Sequence, residues 1–255
     1  MIEHFKSEKD YYHDLIKQFL IAILIALVFR SFFYEPYRIP SGSMKSNLLV
    51  GDHIFVSKYA YGFSRYSLPL NAYLLPGEKR VMQYNKPERG DIIVFRGPKN
   101  PHMTYIKRLI GLPGDDVQVI NGIVYINGNE IKRIEDGKFI DDDDGVVVKK
   151  YIEILPNNIS YNVLDRYPNG EGELDNTKVF HVPEGSYFFM GDNRDQSGDS
   201  RVMEGIGFVP EQFIVGKAEI IFFSSKEKIW TLWNLFTAID FSRSFISLKP
   251  VKHTN

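Results

Sequence analysis

Two serines flank a glycine in the stretch Ile39-Pro40-Ser41-Gly42-Ser43-Met44. A glycine there lets the backbone bend so that one hydroxyl projects and nearby donors gather around a developing oxyanion. A serine nucleophile needs a base to take its proton. Lys107 is a candidate, because its neighbours Tyr105, Ile106, Leu109 and Ile110 are apolar. Burial among them disfavours the ammonium and lowers its pKa toward the working pH, as a lysine base requires. On a strand, Arg108 would point to the opposite face. A third island, GDNRDQSGDSR from Gly191 to Arg201, offers polar groups to orient a base and Asp–Arg pairs to brace it. Each island also has a plainer reading: a Ser/Gly turn, a surface lysine, a charged turn.

Other chemistries are less well supplied. There is no cysteine, so disulfides, thiolate metal sites and a cysteine nucleophile are excluded. The six histidines are scattered, and none forms a pair at the i,i+4 spacing of a metalloprotease, so no metal or cofactor is expected. A Ser-His-Asp triad stays open, since its members meet only in space, but no G-x-S-x-G elbow is present. Asp141–Asp144 lacks the ligand spacing of a calcium-binding loop and reads as a solvated acidic loop. A net charge of -1, from 31 basic and 32 acidic residues, gives no electrostatic footprint for nucleic acid.

The elements that must position these islands are mostly strands. HIFVSKYAYG, DIIVFRG, VQVI, IVYI and AEIIFF are short, rich in β-branched and aromatic residues, and bounded by Gly, Pro, Asn or Asp. Asn121-Gly122 between Val117–Ile120 and Ile123–Ile126 predicts a type I′ hairpin, and Asn127-Gly128 repeats the pair. From about Lys132 to Lys178 the chain turns polar and turn-rich before apolar strands resume at SYFFMGD. The expectation is an all-β protein: a catalytic β domain from 35–116 and 184–255, with a β subdomain inserted at 117–183. In the tail, Trp230, Trp233, Leu235, Phe236 and Phe241 suit either core or a membrane-facing surface, and core is the preferred reading.

The N-terminus differs. QFLIAILIALVF is free of charge and, extended over 15–34, gives roughly 20 residues, enough to span a bilayer. Lys17 and Arg30 lie near its ends, where they can snorkel, and Phe32, Phe33 and Tyr34 suit the interface. The bulky SFFYEPYRIP that follows offers no small-residue cleavage site, which favours a single transmembrane anchor over a cleaved signal or a buried helix. Basic residues on the two sides nearly balance, so charge does not set orientation.

In this order, after an anchor, the islands closely resemble the bacterial type I signal peptidases, Ser-Lys proteases that remove signal peptides from exported proteins. SGSM resembles the nucleophile box, RGDIIVF a structural strand, YIKRLIGLPGD the lysine box and GDNRDQSGDSR the last box. The resemblance implies a signal-peptidase-like β-sheet core, with Ser43 as nucleophile, Lys107 as general base, Ser41 joining the Ser43 N–H in the oxyanion hole, and Ser197 orienting the lysine. It implies structural support from Asp199 and Arg201, and pockets for small residues lined by Tyr37, Ile39, Pro40, Tyr105 and Ile106. It further implies preproteins bearing signal peptides as partners. The family's one-helix plan places 1–14 in the bacterial cytoplasm and the catalytic domain outside the inner membrane. One departure is plain: the family continues Met-x-Pro-Thr-Leu, whereas Met44 is followed by Lys45, Ser46, Asn47 and Leu48. A self-cleaving Ser-Lys repressor protease is a rival, though its usual partner is a DNA-binding domain. A catalytically inactive, membrane-tethered β-protein binding exported chains is another.

Overall fold

The computed structural model describes residues 8–68, 80–167, 170–225 and 239–253. Helix α1, Glu8–Phe32, is apolar on all sides from Phe19 to Phe29, and the side chains of that stretch are exposed. A helix with no polar face has no partner in water. Its apolar stretch Tyr11–Phe32 covers 22 residues, a rise of about 33 Å against a hydrocarbon core of about 30 Å. Among the described residues it is the one helix long and apolar enough to cross a membrane. The chain leaves it through an aromatic collar, with Phe29 stacked on Phe33 and the Tyr34 and Tyr59 hydroxyls 2.8 Å apart.

The rest is mostly β. The strands in chain order are β1 (Tyr34–Arg38), β2 (Asp52–Ser57), β3 (Ile92–Arg96), β4 (Thr104–Gly111), β5 (Asp116–Ile120), β6 (Ile123–Ile126), β7 (Asn129–Glu130), β8 (Lys132–Ile140) and β9 (Val147–Ile154). There follow β10 (Ile159–Asp165), β11 (Phe180–His181), β12 (Ser186–Met190), β13 (Val209–Pro210), β14 (Ile214–Ser225), β15 (Ile239–Asp240), β16 (Ile246–Ser247) and β17 (Val251–Lys252). The main sheet runs β1-β2-β14-β3-β4-β12-β13, with β15 and β16 also paired to β14. Two four-stranded sheets, β17-β10-β9-β8 and β11-β5-β6-β7, come from the middle of the chain and its tail.

Local sequence accounts for much of this. Asn121 and Gly122 both take positive φ, as do Asn127 and Gly128, so each Asn-Gly pair closes a two-residue hairpin turn, β5–β6 and β6–β7. β3 lies inside the main sheet, and Ile92–Phe95 are all buried, the continuous apolar run expected of a strand covered on both faces. Its alternation divides the core. Ile92 and Val94 pack with Ile39, Met44 and Leu48, while Ile93 and Phe95 pack with Leu109 and Phe189. A third cluster joins Ile110, Phe188 and Met190 of the main sheet to Val117, Val124 and Val163, so the middle sheets share apolar contact with β4 and β12.

Two expectations are corrected. Phe241 is 64% exposed and is not core, because it begins a short turn outside β14; Trp230, Trp233, Leu235 and Phe236 lie outside the described residues. Asp141 is 1% exposed, so the acidic loop is solvated only at Asp142–Asp144; ion pairs to Lys45 and Arg166 draw Asp141 inward.

Candidate active site

Ser43 sits in a single 3-10 turn, Gly42–Met44, that continues from β1. The entry is fixed by Ile39, whose N–H donates to Asp52 O and whose carbonyl accepts from Gly51 N. The exit is fixed by Met44 and Leu48, both fully buried, with Leu48 N donating to Met44 O. The Gly42 carbonyl accepts from Lys45 N at 3.0 Å and from Asn193 Nδ2 at 3.1 Å. Because the peptide is planar, pinning that carbonyl aims the Ser43 N–H the opposite way. The Ser43 carbonyl is held by Asn193 N at 3.1 Å.

The main sheet curls enough for this turn to lie against β4. Lys107 Nζ donates to Ser43 Oγ at 2.6 Å, and both residues are buried. Burial pushes the lysine pKa down from 10.5 to about 8; the charges of Asp199 and Asp192 oppose the shift, and Arg201 assists it. Arg108, the next residue, takes the other face. It grips Asp192 with two hydrogen bonds of 2.8 and 2.7 Å and lies 4.3 Å above the Tyr161 ring.

The last polar island packs beneath the turn. Asp199 and Arg201 form a buried pair through Nε and Nη2, each at 2.9 Å, and Asp199 also accepts from Gly191 N. Burial opposes ionisation of Asp199, but Arg201 outweighs it and holds that carboxyl below the usual range. Ser197 is buried close to Gly191. Its hydroxyl helps hold the Asp199 carboxylate low, but among the described residues it forms no well-aligned hydrogen bond, none to Lys107 included. Ser41 is exposed and makes no side-chain capping bond to the turn.

The groove residues divide. Tyr37, Ile39 and Ile106 share a cluster with Met44, and Pro40 is exposed beside them. Tyr105 belongs to the other cluster, stacked on Phe95, since strand neighbours face opposite ways. β1 and the Thr104–Lys107 part of β4 each have one edge without a strand partner among the described residues. Such edges can accept an extended peptide.

Three contributors escaped the sequence reading. Asn193 clamps the Gly42 and Ser43 carbonyls. Gly191 leaves no room for a side chain: a Cβ there would fall 2.2 Å from Ser197 Oγ and 2.6 Å from Ser43 O. Asn47, one of the departures, donates from Nδ2 to Asn162 O at 2.8 Å and to Asp192 Oδ2 at 2.7 Å. The glycine and the Asn lay inside recognisable motifs, but their roles depend on contacts formed only in the fold. Asp165, Asp175 and Asp195 each bring an oxygen within 4.8 Å of the others, a donor set that could take a cation.

A buried serine–lysine contact on a curled antiparallel sheet, following an apolar helix, defines a class: β-sheet proteins with the geometry of a serine hydrolase. Comparison with known proteins is more specific. The family described as signal peptidase, peptidase S26, matches residues 12–223, and the chain belongs to it. Signal peptidase I of Rickettsia typhi is 47% identical over 216 residues, covering 83% of this chain and 80% of the relative; that of Rickettsia prowazekii is 46% identical over the same shares. Among solved structures, a signal peptidase I from Enterococcus faecalis V583 is 30% identical, covers 52% of this chain and 97% of its own, and has a TM-score of 0.33. The protein is thus a hydrolase, a serine endopeptidase of the signal peptidase I type. The comparisons lend no support to an inactive β-protein that only binds exported chains.

Proposed function

We propose that the chain cleaves signal peptides from exported preproteins with Ser43 as nucleophile and Lys107 as general base. The observation that carries the reading is the 2.6 Å contact between Lys107 Nζ and Ser43 Oγ, buried, with the lysine pKa brought down to about 8. Neutral Lys107 takes the Ser43 proton as Oγ attacks the scissile carbonyl carbon. The oxyanion is stabilised by the Ser43 N–H, whose direction the pinned Gly42 carbonyl sets, and by the exposed Ser41 hydroxyl. Lysine then delivers the proton to the leaving amine nitrogen; water, giving a proton to Lys107, attacks the acyl carbon, and Lys107 returns that proton to Ser43 Oγ as its bond to the acyl group breaks. Ser197 supports Lys107 through Asp199, and Arg201 keeps Asp199 ionised.

The substrate lies extended against β1 and β4, with Tyr37, Ile39, Pro40 and Ile106 shaping pockets for small side chains; the Tyr105 side chain, stacked on Phe95 on the other face of β4, leaves that residue only its backbone edge to offer. α1 anchors the enzyme in the inner membrane, with residues 1–14 in the cytoplasm and the catalytic domain outside. Confining enzyme and membrane-inserted signal peptides to one bilayer raises their effective concentration. No step draws on a cofactor or on nucleic acid.

The test is cleavage of a signal-peptide-bearing precursor by wild type, Ser43→Ala and Lys107→Met in detergent micelles. Both variants are expected to fold and to leave the precursor intact. Cleavage at ordinary rates by either one would falsify its assigned role.

A further inference from the structure

We propose that the buried Lys45–Asp141 ion pair is a positioning device for the nucleophile turn, setting how fast Ser43 is acylated without either residue touching the substrate. The proposal rests on the assignment of Ser43 as nucleophile.

Lys45 stands two residues after Ser43 and is only 3% exposed. A buried ammonium is costly unless it is paired. Here Nζ donates to Asp141 Oδ1 at 2.5 Å and to Asp143 Oδ2 at 2.7 Å. Burial opposes the charge, but the two carboxylates outweigh it and raise the lysine above its ordinary value. The two lysines around Ser43 are therefore held in opposite ways: Lys107 is eased toward neutrality, whereas Lys45 is fixed as a cation.

The side chain of Lys45 folds back along its own turn. A Cβ placed on Gly42 would meet its Cε at 3.1 Å and its Cδ at 3.2 Å, so the alkyl stem lies against the residue preceding Ser43. The carboxylate end is equally constrained. Asp141 N donates to Val146 O, Gly145 N donates to Asp141 O, and Asp143 N donates to Asp141 Oδ1. Asp141 Oδ2 accepts from Arg166 Nη2 at 2.8 Å, and the Arg166 N–H donates to Asp195 Oδ2 at 2.7 Å. Asp195 lies in the 3-10 turn just before Ser197. A continuous run of bonds thus links the Ser43 turn, through the β8–β9 loop, to the island that packs against Lys107.

This run answers the departure after Met44. A proline would fix φ from within the chain; with Ser46 and Asn47 in place of the family's Pro and Thr, the segment is instead held from outside. Lys45 reaches the β8–β9 loop, and Asn47 reaches Asn162 and Asp192. Direct substrate contact by Lys45 is excluded by its burial. A purely stabilising role fits poorly, because buried ion pairs give little net stability over apolar side chains; their best-attested use is to specify geometry.

The decisive variant is Lys45→Met with Asp141→Asn in the full-length enzyme. Removing both charges strands neither of the two, and Arg166, which loses the Asp141 charge, keeps Asp144 at 2.7 Å, so the sheet is expected to fold. Acylation of Ser43 by a β-lactam-type inhibitor is followed to completion, together with kcat and KM for a signal-peptide-bearing precursor. The expected result is a full acylation amplitude, an acylation rate and kcat lowered about 10- to 100-fold, and KM within about threefold of wild type. A folded double variant acylated at the wild-type rate overturns the proposal. If the double variant loses its cooperative melt, Asp143→Ala decides instead, since Asp143 is 63% exposed and this substitution takes away one of the two acceptors of the Lys45 ammonium. A fall of about threefold or more in acylation rate is then expected, and no change overturns the proposal. Wild type that resists acylation, or Ser43→Ala that still cleaves, would fail the nucleophile assignment itself; normal wild type with an unaffected double variant fails only this proposal.

Discussion

Lys107 Nζ and Ser43 Oγ are 2.6 Å apart, although 64 residues separate them along the chain. The contact closes because the turn after β1 and the strand β4 lie on two walls of one curled sheet. Its energetic character is set by burial of the lysine, and two predictions follow from that burial alone.

The first concerns rate. With a pKa of about 8, about a tenth of Lys107 is neutral at pH 7, and the neutral fraction rises tenfold per pH unit below that value. Single-turnover cleavage should therefore climb with pH and level off above about 8. A profile flat from pH 6 to 9 would remove Lys107 as the titrating base.

The second concerns stability. The folded pKa lies below the unfolded one, so between about 8 and 10.5 the unfolded chain holds a proton that the folded chain has released, and stability rises with pH across that window. Below about 8 both states are charged and the burial cost is fully present. A fall from 10.5 to about 8 corresponds to about 3 kcal/mol against the charged form. Lys107→Met should thus abolish cleavage while making the protein more stable at pH 7, by about 1–3 kcal/mol once the lost bond to Ser43 is deducted. Denaturant titration at pH 7 reads this directly, and a destabilised variant counts against the burial argument.

The sequence showed some of this plainly and hid the rest for a physical reason. Strands with β-branched residues and the two Asn-Gly turns are local features, set by φ/ψ preference within a few residues. The apolar neighbours of Lys107 likewise foretold its burial. Pairings between distant polar residues leave no such mark. Asp141 looked like one of four solvated aspartates because its partner, Lys45, lies 96 residues away. Asn193 and Asn47 are ordinary turn residues until the fold sets carbonyls in front of them. β17 in the tail pairs with the start of β10 through only two residue pairs, Ile159 with Lys252 and Ser160 with Val251, too short a match for any local pattern to announce.

Glu153 anchors the last island from the middle sheet. Arg194 meets it with two bonds, of 2.7 and 2.5 Å, and Tyr161 OH donates to it at 2.8 Å, all buried. Burial opposes the carboxylate charge, yet Arg194 holds its pKa below the ordinary value. Glu153→Gln leaves the Arg194 cation buried without its counter-charge and should cost about 3–5 kcal/mol. In wild type, the stability this carboxylate contributes is present above its unfolded pKa and is lost as pH falls through the lower, folded one. Chemical unfolding of the two proteins at pH 7 measures the difference.

Gly191 lies where three parts of the site converge. Its N–H donates to Asp199 Oδ2 at 3.0 Å, its carbonyl accepts from Arg194 Nε at 3.2 Å, and its missing side chain leaves room for Ser197 and the Ser43 carbonyl. An alanine methyl at 2.2 Å from Ser197 Oγ and 2.6 Å from Ser43 O cannot be accommodated without movement. The serine hydroxyl could rotate, but the Ser43 carbonyl is backbone and is held by Asn193 N. The shift must therefore reach the turn that carries Ser43. Gly191→Ala should lower kcat about 100-fold, since an ångström of misplacement at reacting atoms has that scale, while KM changes little because the groove residues are untouched. Precursor-cleavage kinetics on folded protein, with cooperative melting as the control, test this. A KM effect with normal kcat would place Gly191 in substrate binding instead.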